Sequence, residues 1–196
     1  MINSLNHIDQ QLFLKLNGEV SPFIDQLMYL ISDKYVWVPF YLLLVVLIVR
    51  KYRWNSVWFI LGAIIMITLT DQISNVLKDG VKRFRPCKDP EIGHLVHIVN
   101  NYCRSSYGFV SAHAANSFAL AVFISLIFRY RSVFAGMVVW AAIVSYSRIY
   151  LGVHYPGDVI CGGLIGALIA WIVCLLANRF MYRKAGNIHP VFREQS

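Results

Sequence analysis

Lys78 is followed seven positions later by Arg85-Pro86; Ser111-Ala112-His113 comes next, and Ser147-Arg148 then leads to His154 and Asp158. These fragments supply three fixed cations, two imidazoles and a carboxylate, a set able to hold a phosphate without a metal and transfer it through a covalent histidine. The planar fork of Arg85 suits two phosphate oxygens at once, and Pro86 stiffens the position after it. Ser111-Ala112-His113 opens an apolar run, so free backbone N–H groups and the helix dipole there would point at the same anion. Arg148 lies at the end of another apolar run, where a guanidinium is costly unless it has a partner or faces a polar cavity. Asp158 follows His154 by four residues, placed to accept the proton of one imidazole nitrogen and leave the other aimed at a substrate. Each fragment alone has a plainer reading: Lys78 to Lys88 as a basic membrane-surface segment, His113 as an interfacial histidine, Asp158 as a helix cap beside an unrelated loop histidine. Their convergence on one face favours the chemical reading.

The composition calls for a membrane bundle to position these groups. Of 196 residues, 58% are hydrophobic and 14% charged, and the mean hydropathy is +0.56, values that soluble domains rarely reach. No low-complexity run, repeat or Gly/Ser/Pro-rich spacer divides the chain, so one domain over 1–196 is expected. Its parts are amphipathic N-terminal helices over 1–33, a transmembrane bundle over 35–181 and a cytoplasmic tail over 182–196. Residues 1–17 lack the features of a cleaved secretory signal, so the first span is expected to act as its own targeting element.

Five uncharged apolar runs, 35–49, 54–70, 109–128, 132–147 and 159–178, approach or reach the length of about 20 residues that a bilayer requires. The shorter ones are completed by the snorkelling stems of Lys34, Arg50, Arg53 and Arg131, and by continuing the second helix through 71–77. Upstream, Leu5, Ile8, Leu12 and Leu16 recur at helical spacing, Ser21-Pro22 makes a helix start, and Phe23, Leu27, Leu30 and Ile31 form an apolar stripe. With Asp25, Asp33 and Lys34 nearby this region reads as interfacial, a broken sixth span being the alternative. The fold class is all-α, a polytopic bundle of five to six transmembrane helices.

Arg50, Lys51, Arg53, Arg129, Arg131, Arg179, Arg183 and Lys184 lie in links and a tail nearly free of acids, which marks those ends as cytoplasmic. The links 78–107 and 149–157 then face outward and carry all the candidate chemistry. Six cations in the first (Lys78, Lys82, Arg83, Arg85, Lys88, Arg104) run against the charge rule unless some bind an anion. Cys87 and Cys103 share that link. In an oxidising compartment their bridge would close a loop of about 15 residues and contribute roughly 3 kcal/mol; two free thiols are the alternative. Cys161 and Cys174 read as packing residues. Asp71 is either a counter-ion for Lys78 or Arg148 or a solvated helix-end group. Asn116 and Ser117 line the site or pack spans together. Glu91, His94 and His97 are not assigned a metal, and no cofactor is expected.

These residues resemble the type 2 phosphatidic acid phosphatases, which share their core with glucose-6-phosphatase and the vanadium haloperoxidases. The resemblance rests on the run from Lys78 to Arg85-Pro86, on Val110-Ser111-Ala112-His113, and on the run from Ser147-Arg148 through Gly152-Val153-His154-Tyr155-Pro156-Gly157 to Asp158. It covers roughly residues 71–162. The middle motif departs from Pro-Ser-Gly-His at Val110 and Ala112, which leaves less room for phosphate to approach the backbone amide. The resemblance implies a four-helix catalytic core, His154 as nucleophile, Asp158 fixing its tautomer, and His113 as the acid that protonates the leaving oxygen. It also implies that Lys78, Arg85, Ser111, Ala112 and Arg148 hold the phosphate. No metal takes part.

A site at the outer membrane–water boundary favours a phosphate carried on a phospholipid or glycolipid embedded in the bilayer. Among bacterial envelope phosphatases the chain looks most like small lipid A (lipopolysaccharide) phosphatases; undecaprenyl pyrophosphate phosphatase and phosphatidylglycerophosphatase are the alternatives. The basic loop at Lys82, Arg83 and Lys88 suits a multiply charged head group. The expected location is the bacterial inner membrane with the site facing the periplasm. A vanadate-dependent oxidase and a non-catalytic lipid-binding or transport protein are the readings from other classes; the nucleophile with its orienting carboxylate argues against the second. No nucleic-acid partner is expected, and oligomeric state is left open.

Overall fold

The most apolar central helix organises everything else. In the computed structural model, which describes residues 2–18, 21–103 and 105–185, the helices are α1 (Ile2–Asn17), α2 (Pro22–Ser32), α3 (Val38–Tyr52), α4 (Ser56–Val81), α5 (Ala112–Phe128), α6 (Arg131–Tyr150) and α7 (Pro156–Ala185). Of the expected tail over 182–196, residues 182–185 continue α7 as helix, and the remainder lies outside the described residues, as does Arg104. Among those residues no strand forms; one isolated antiparallel bridge joins Phe84 and Tyr107.

α5 packs against α6, α7 and α4, and α4 also packs on α7. The shared core is Phe59 and Met66 of α4, Phe123, Ile124 and Ile127 of α5, Met137 of α6, and Ala170 and Cys174 of α7, joined by Leu44 and Ile48 of α3. Backbone proximity between α5 and α7 depends on small residues: a Cβ at Gly162 would lie 2.5 Å from the Ser111 carbonyl, and one at Gly166 would overlap the Ala115 carbonyl. This packing ties the start of α7 to the start of α5, where the motif residues sit.

Val38–Val81, Arg131–Tyr150 and Pro156–Arg179 are long and apolar enough to cross a membrane, and Ala112–Phe128 is a shorter apolar helix. The first stretch is two helices, broken where Arg53 takes a φ of 50°. Lys51 Nζ then donates to the carbonyls of Ile127 and Phe128 at 3.2 and 3.4 Å, and the Tyr52 hydroxyl to Ile127 at 2.8 Å. These donors satisfy the exposed carbonyls at the end of α5, and the Lys51 cation suits its negative pole. α4 continues through 71–77 as expected.

α2 has 11 residues, about 16 Å of helix, too short for a sixth span. The N-terminal helices place their apolar stripes outward: Leu5, Ile8, Leu12, Phe23, Leu27 and Leu30 are exposed, while Gln10, Phe13, Asn17 and Ser32 are buried. That arrangement suits helices lying where the surrounding medium is lipid and the protein offers polar partners. Asn17 shows why, its amide donating to the carbonyls of His97, Ile149 and Tyr150 at 3.1, 3.2 and 2.7 Å.

Candidate active site

The link after α4 folds back on itself before it reaches α5. Arg85 N donates to Ser106 O and Gly108 N to Arg83 O, both at 2.9 Å, so the two ends of the link lie side by side. Cys87 and Cys103 are joined by a disulfide, with Cα atoms 6.2 Å apart. Cys87 N also donates to Gly152 O at 3.1 Å, pinning the link to the turn between α6 and α7. Arg85 is thereby held beside His154.

His154 is buried, and its two nitrogens have different surroundings. Nδ1 lies 3.5 Å from Asp158 Oδ2, and Nε2 lies 3.4 Å from an Arg85 Nη. Burial first, then Arg85, Arg148 and Lys78, hold this imidazole well below its ordinary pKa, with a hydrogen bond to the Gly108 backbone acting the other way. It is therefore unprotonated at neutral pH and available as a nucleophile. Asp158, with no side-chain exposure, accepts from Tyr155 N at 3.0 Å through Oδ2 and from Arg83 Nη1 at 2.8 Å through Oδ1.

Arg85 donates from Nε to Tyr107 O at 3.1 Å and from Nη1 to Val153 O at 3.2 Å. Burial, then the neighbouring Arg148, push its pKa down to about 10, so it remains a cation. Arg148 is 4% exposed at the end of α6. Its Nη1 donates to Ser32 Oγ of α2 and, at 3.4 Å, to the Tyr102 hydroxyl, with the guanidinium 5.1 Å above the Tyr102 ring. Lys78, His113, His154, Arg85 and Arg148 are electrostatic neighbours. Among the described residues none of Lys78, Arg85 and Arg148 forms an ion pair with a carboxylate.

The start of α5 presents backbone donors to the same side as His154 and Asp158. Ser111 caps the helix by accepting from Ala114 N at 3.4 Å, and its own N–H donates to Asp158 O at 3.0 Å. The N–H groups of Ala112 and His113 belong to the first turn, which has no intrahelical acceptors for them. Asp71 accepts from the Asn116 amide at 2.8 Å and is an electrostatic neighbour of Lys78 without pairing to it. Asn116 also meets the Thr70 hydroxyl.

Glu91, His94 and His97 do not converge. Glu91 accepts from Gln10 at 3.2 Å, His94 is exposed, and His97 Nε2 meets Asp25 at 3.0 Å. Among the described residues no group of three or more His, Cys, Asp or Glu side chains is placed to hold a metal ion.

Sequence reasoning missed the partners that hold these groups: Asp9, Ser32, Tyr102 and Gly108. It also read Arg83 as a head-group contact, whereas the structure turns Arg83 inward onto Asp158 and Asp9. A basic loop residue gives no local sign of a carboxylate waiting 74 positions away.

A family model described as the PAP2 superfamily matches residues 57–182. The chain is 40% identical over 187 residues to the lipid A 4'-phosphatase of Bacteroides thetaiotaomicron, spanning 93% of this chain and 83% of that protein. It is 36% identical over 170 residues to the lipid A 4'-phosphatase of Porphyromonas gingivalis, spanning 85% and 71%. Among solved structures it is similar to Aquifex aeolicus LpxE, with a TM-score of 0.64 at 25% identity over 83% of this chain and 92% of that one. It shares the fold of the transmembrane PAP2 type phosphatidylglycerolphosphate phosphatase from Bacillus subtilis, with a TM-score of 0.68 at 22% identity over 95% and 90%.

Proposed function

The chain belongs to the PAP2 superfamily, and from that premise we propose that it removes the 4'-phosphate of lipid A at the periplasmic face of the inner membrane. The observation that carries the chemistry is His154, buried with Asp158 behind one nitrogen and Arg85 beside the other. The relatives named above carry the choice of lipid.

In the first step His154 Nε2 attacks phosphorus in line: an N–P bond forms, the P–O bond to the sugar breaks, and His113 gives its proton to the departing oxygen. Asp158 holds the Nδ1 proton and compensates the positive ring of the phosphohistidine. In the second step His113 takes a proton from water, whose oxygen bonds phosphorus as the N–P bond breaks and inorganic phosphate leaves. Lys78, Arg85, Arg148 and the first N–H groups of α5 neutralise the equatorial oxygens, where charge builds in the transition state.

The test is phosphate release by the purified protein in detergent with EDTA, comparing lipid A, undecaprenyl pyrophosphate and phosphatidylglycerol phosphate, with His154→Ala as the blank. Release from lipid A that disappears in the variant supports the proposal. Release only from another lipid overturns the substrate, and release that persists in His154→Ala overturns the mechanism.

A further inference from the structure

The helix at the start of the chain reaches the catalytic pair through a chain of charges. Arg83 lies between two carboxylates: Nη1 donates to Asp158 Oδ1 and Nη2 to Asp9 Oδ2, each at 2.8 Å. Its guanidinium also stacks 4.1 Å from the Tyr155 ring, and the Tyr155 hydroxyl donates to Asp89 at 2.6 Å. Burial works against the Arg83 cation, but Asp158 and Asp9 more than offset it and hold its pKa above the ordinary value. Asp9 is fixed on its other side as well, since Oδ1 accepts from Gly157 N at 2.9 Å. A Cβ at position 157 would lie 2.6 Å from Asp9 Oδ2, so a glycine is what lets this carboxylate reach the start of α7. Phe13, one turn further along α1, is fully buried against Tyr155 with ring centroids 5.4 Å apart. α1 is thus docked in a fixed register over the site.

We propose that Asp9 is a positioning residue for the phosphotransfer, acting through Arg83 on Asp158. The inference rests on the reading of His154 as nucleophile and adds to it a residue outside the matched family region. The reason is a count of charge. Asp158 and Arg83 alone sum to zero and would leave the phosphohistidine ring without net compensation. Adding Asp9 leaves one negative charge in the relay and divides the pull of Arg83, so that Asp158 keeps its basicity towards His154 Nδ1. The same two-sided grip fixes Oδ1 of Asp158 and leaves Oδ2 directed at Tyr155 N and His154.

The experiment compares the full-length protein with Asp9→Asn, Asp9→Glu and Phe13→Ala, measuring kcat, KM, thermal midpoint and the level of trapped phosphohistidine with lipid A as substrate. Asp9→Asn keeps the shape and removes the charge. Its kcat is expected to fall about 10-fold, the low end of the range for losing a direct partner of a metal-bound histidine because Asp9 acts on His154 only through Arg83 and Asp158, with KM changed less than about twofold. Asp9→Glu is expected to recover part of the loss. Phe13→Ala, which loosens α1 without touching the charges, is expected to lower the thermal midpoint more than Asp9→Asn while costing less kcat. An Asp9→Asn enzyme with wild-type kcat overturns the proposal, as does a loss that Phe13→Ala reproduces in full. Failure of the underlying reading is separate: it would show as a wild-type protein that releases no phosphate or forms no phosphohistidine, whatever stands at position 9.

Discussion

Gly108→Ala adds one methyl group between three members of the site. The new Cβ would lie 3.1 Å from Arg85 Cγ, 3.3 Å from Asp158 Oδ2 and 3.5 Å from His154 Nδ1. The first two distances are tighter than ordinary contact, so the neighbours must give by a few tenths of an ångström. Little there is free to give. Asp158 is held through both oxygens, by Tyr155 N at 3.0 Å and Arg83 at 2.8 Å, and Gly108 is itself tied to Arg83 O at 2.9 Å. Overpacking of this kind costs about 1–3 kcal/mol. If the strain is relieved by tilting His154 away from its line of attack, kcat falls about 5- to 150-fold. The assay is steady-state phosphate release from lipid A with the thermal midpoint measured in parallel. The expected result is a lower kcat together with a midpoint lowered by about 2–4 °C for each kcal/mol of strain that is not relieved, because the methyl presses on the buried Asp158 and His154. A folded Gly108→Ala protein with wild-type kcat would refute the claim that the spacing of His154, Asp158 and Arg85 sets the rate.

Three further outcomes follow from the same geometry. Arg148→Ala should lower kcat about 100- to 1000-fold, the cost of losing one preorganised donor to a developing charge, and Arg148→Lys should recover only part of it because a lysine lacks the fork; steady-state kinetics on both variants decides this. Reducing Cys87–Cys103, or replacing both with serine, should lower stability by about 3 kcal/mol and lower activity as Arg85 loosens, read by detergent melting curves and phosphate release with and without reductant. Because His154 is held well below its ordinary value of 6.5, the unfolded chain binds a proton that the folded chain does not once the pH drops below that value. Stability should therefore fall on acidification, by about 1.4 kcal/mol per pH unit from this group, and His154→Asn should flatten the slope in unfolding midpoints taken from about pH 8 to about pH 5.

Lys78, Arg85, His113, Arg148, His154 and Asp158 were legible in the sequence because Arg148 is costly where it stands and the other fragments converge on the same face. A cation or imidazole at the end of an apolar run calls for a function, and their spacing repeats a known pattern. The helices were legible for a related reason, since uncharged runs between basic links leave few other solutions. The start of α5 was legible in its motif, although the apolar run begins at Phe109: Ser111-Ala112-His113 reads as a helix entrance, and the helix begins at Ala112, with Ser111 turning its side chain to the Ala114 N–H and giving its own N–H to Asp158. The faces of α1 and α2 were hidden. Apolar periodicity locates a stripe but does not say whether protein or lipid receives it, and here Leu5, Ile8 and Phe23 face outward. Asp9 and Arg83 escaped for want of a local signal, being 74 positions apart and meaning little until α1 is docked.

The charge rule for membrane orientation gains its explanation from the same contacts. The link 78–107, expected to face outward, carries cations that the rule would place on the other side, and the structure divides them by task. Arg83 is spent on Asp9 and Asp158, while Lys82 and Lys88 stay exposed at the surface. Arg85 is oriented by backbone carbonyls, which fix its direction without cancelling its charge. The carboxylates around the site are engaged elsewhere: Asp71 by Asn116, Asp89 by Tyr155, Asp25 by Tyr150 and His97. Asp158 is the exception, and it faces His154 and Arg83. The acids are thus matched to partners other than Lys78, Arg85 and Arg148, which leaves the field of those three directed at one place. Three cations directed at one place suit a dianionic phosphate, the group the proposed reaction transfers. The proposed role of Arg83 and Asp9 follows from the same arrangement: a site that keeps its cations for the substrate needs a separate ion pair to hold its carboxylate.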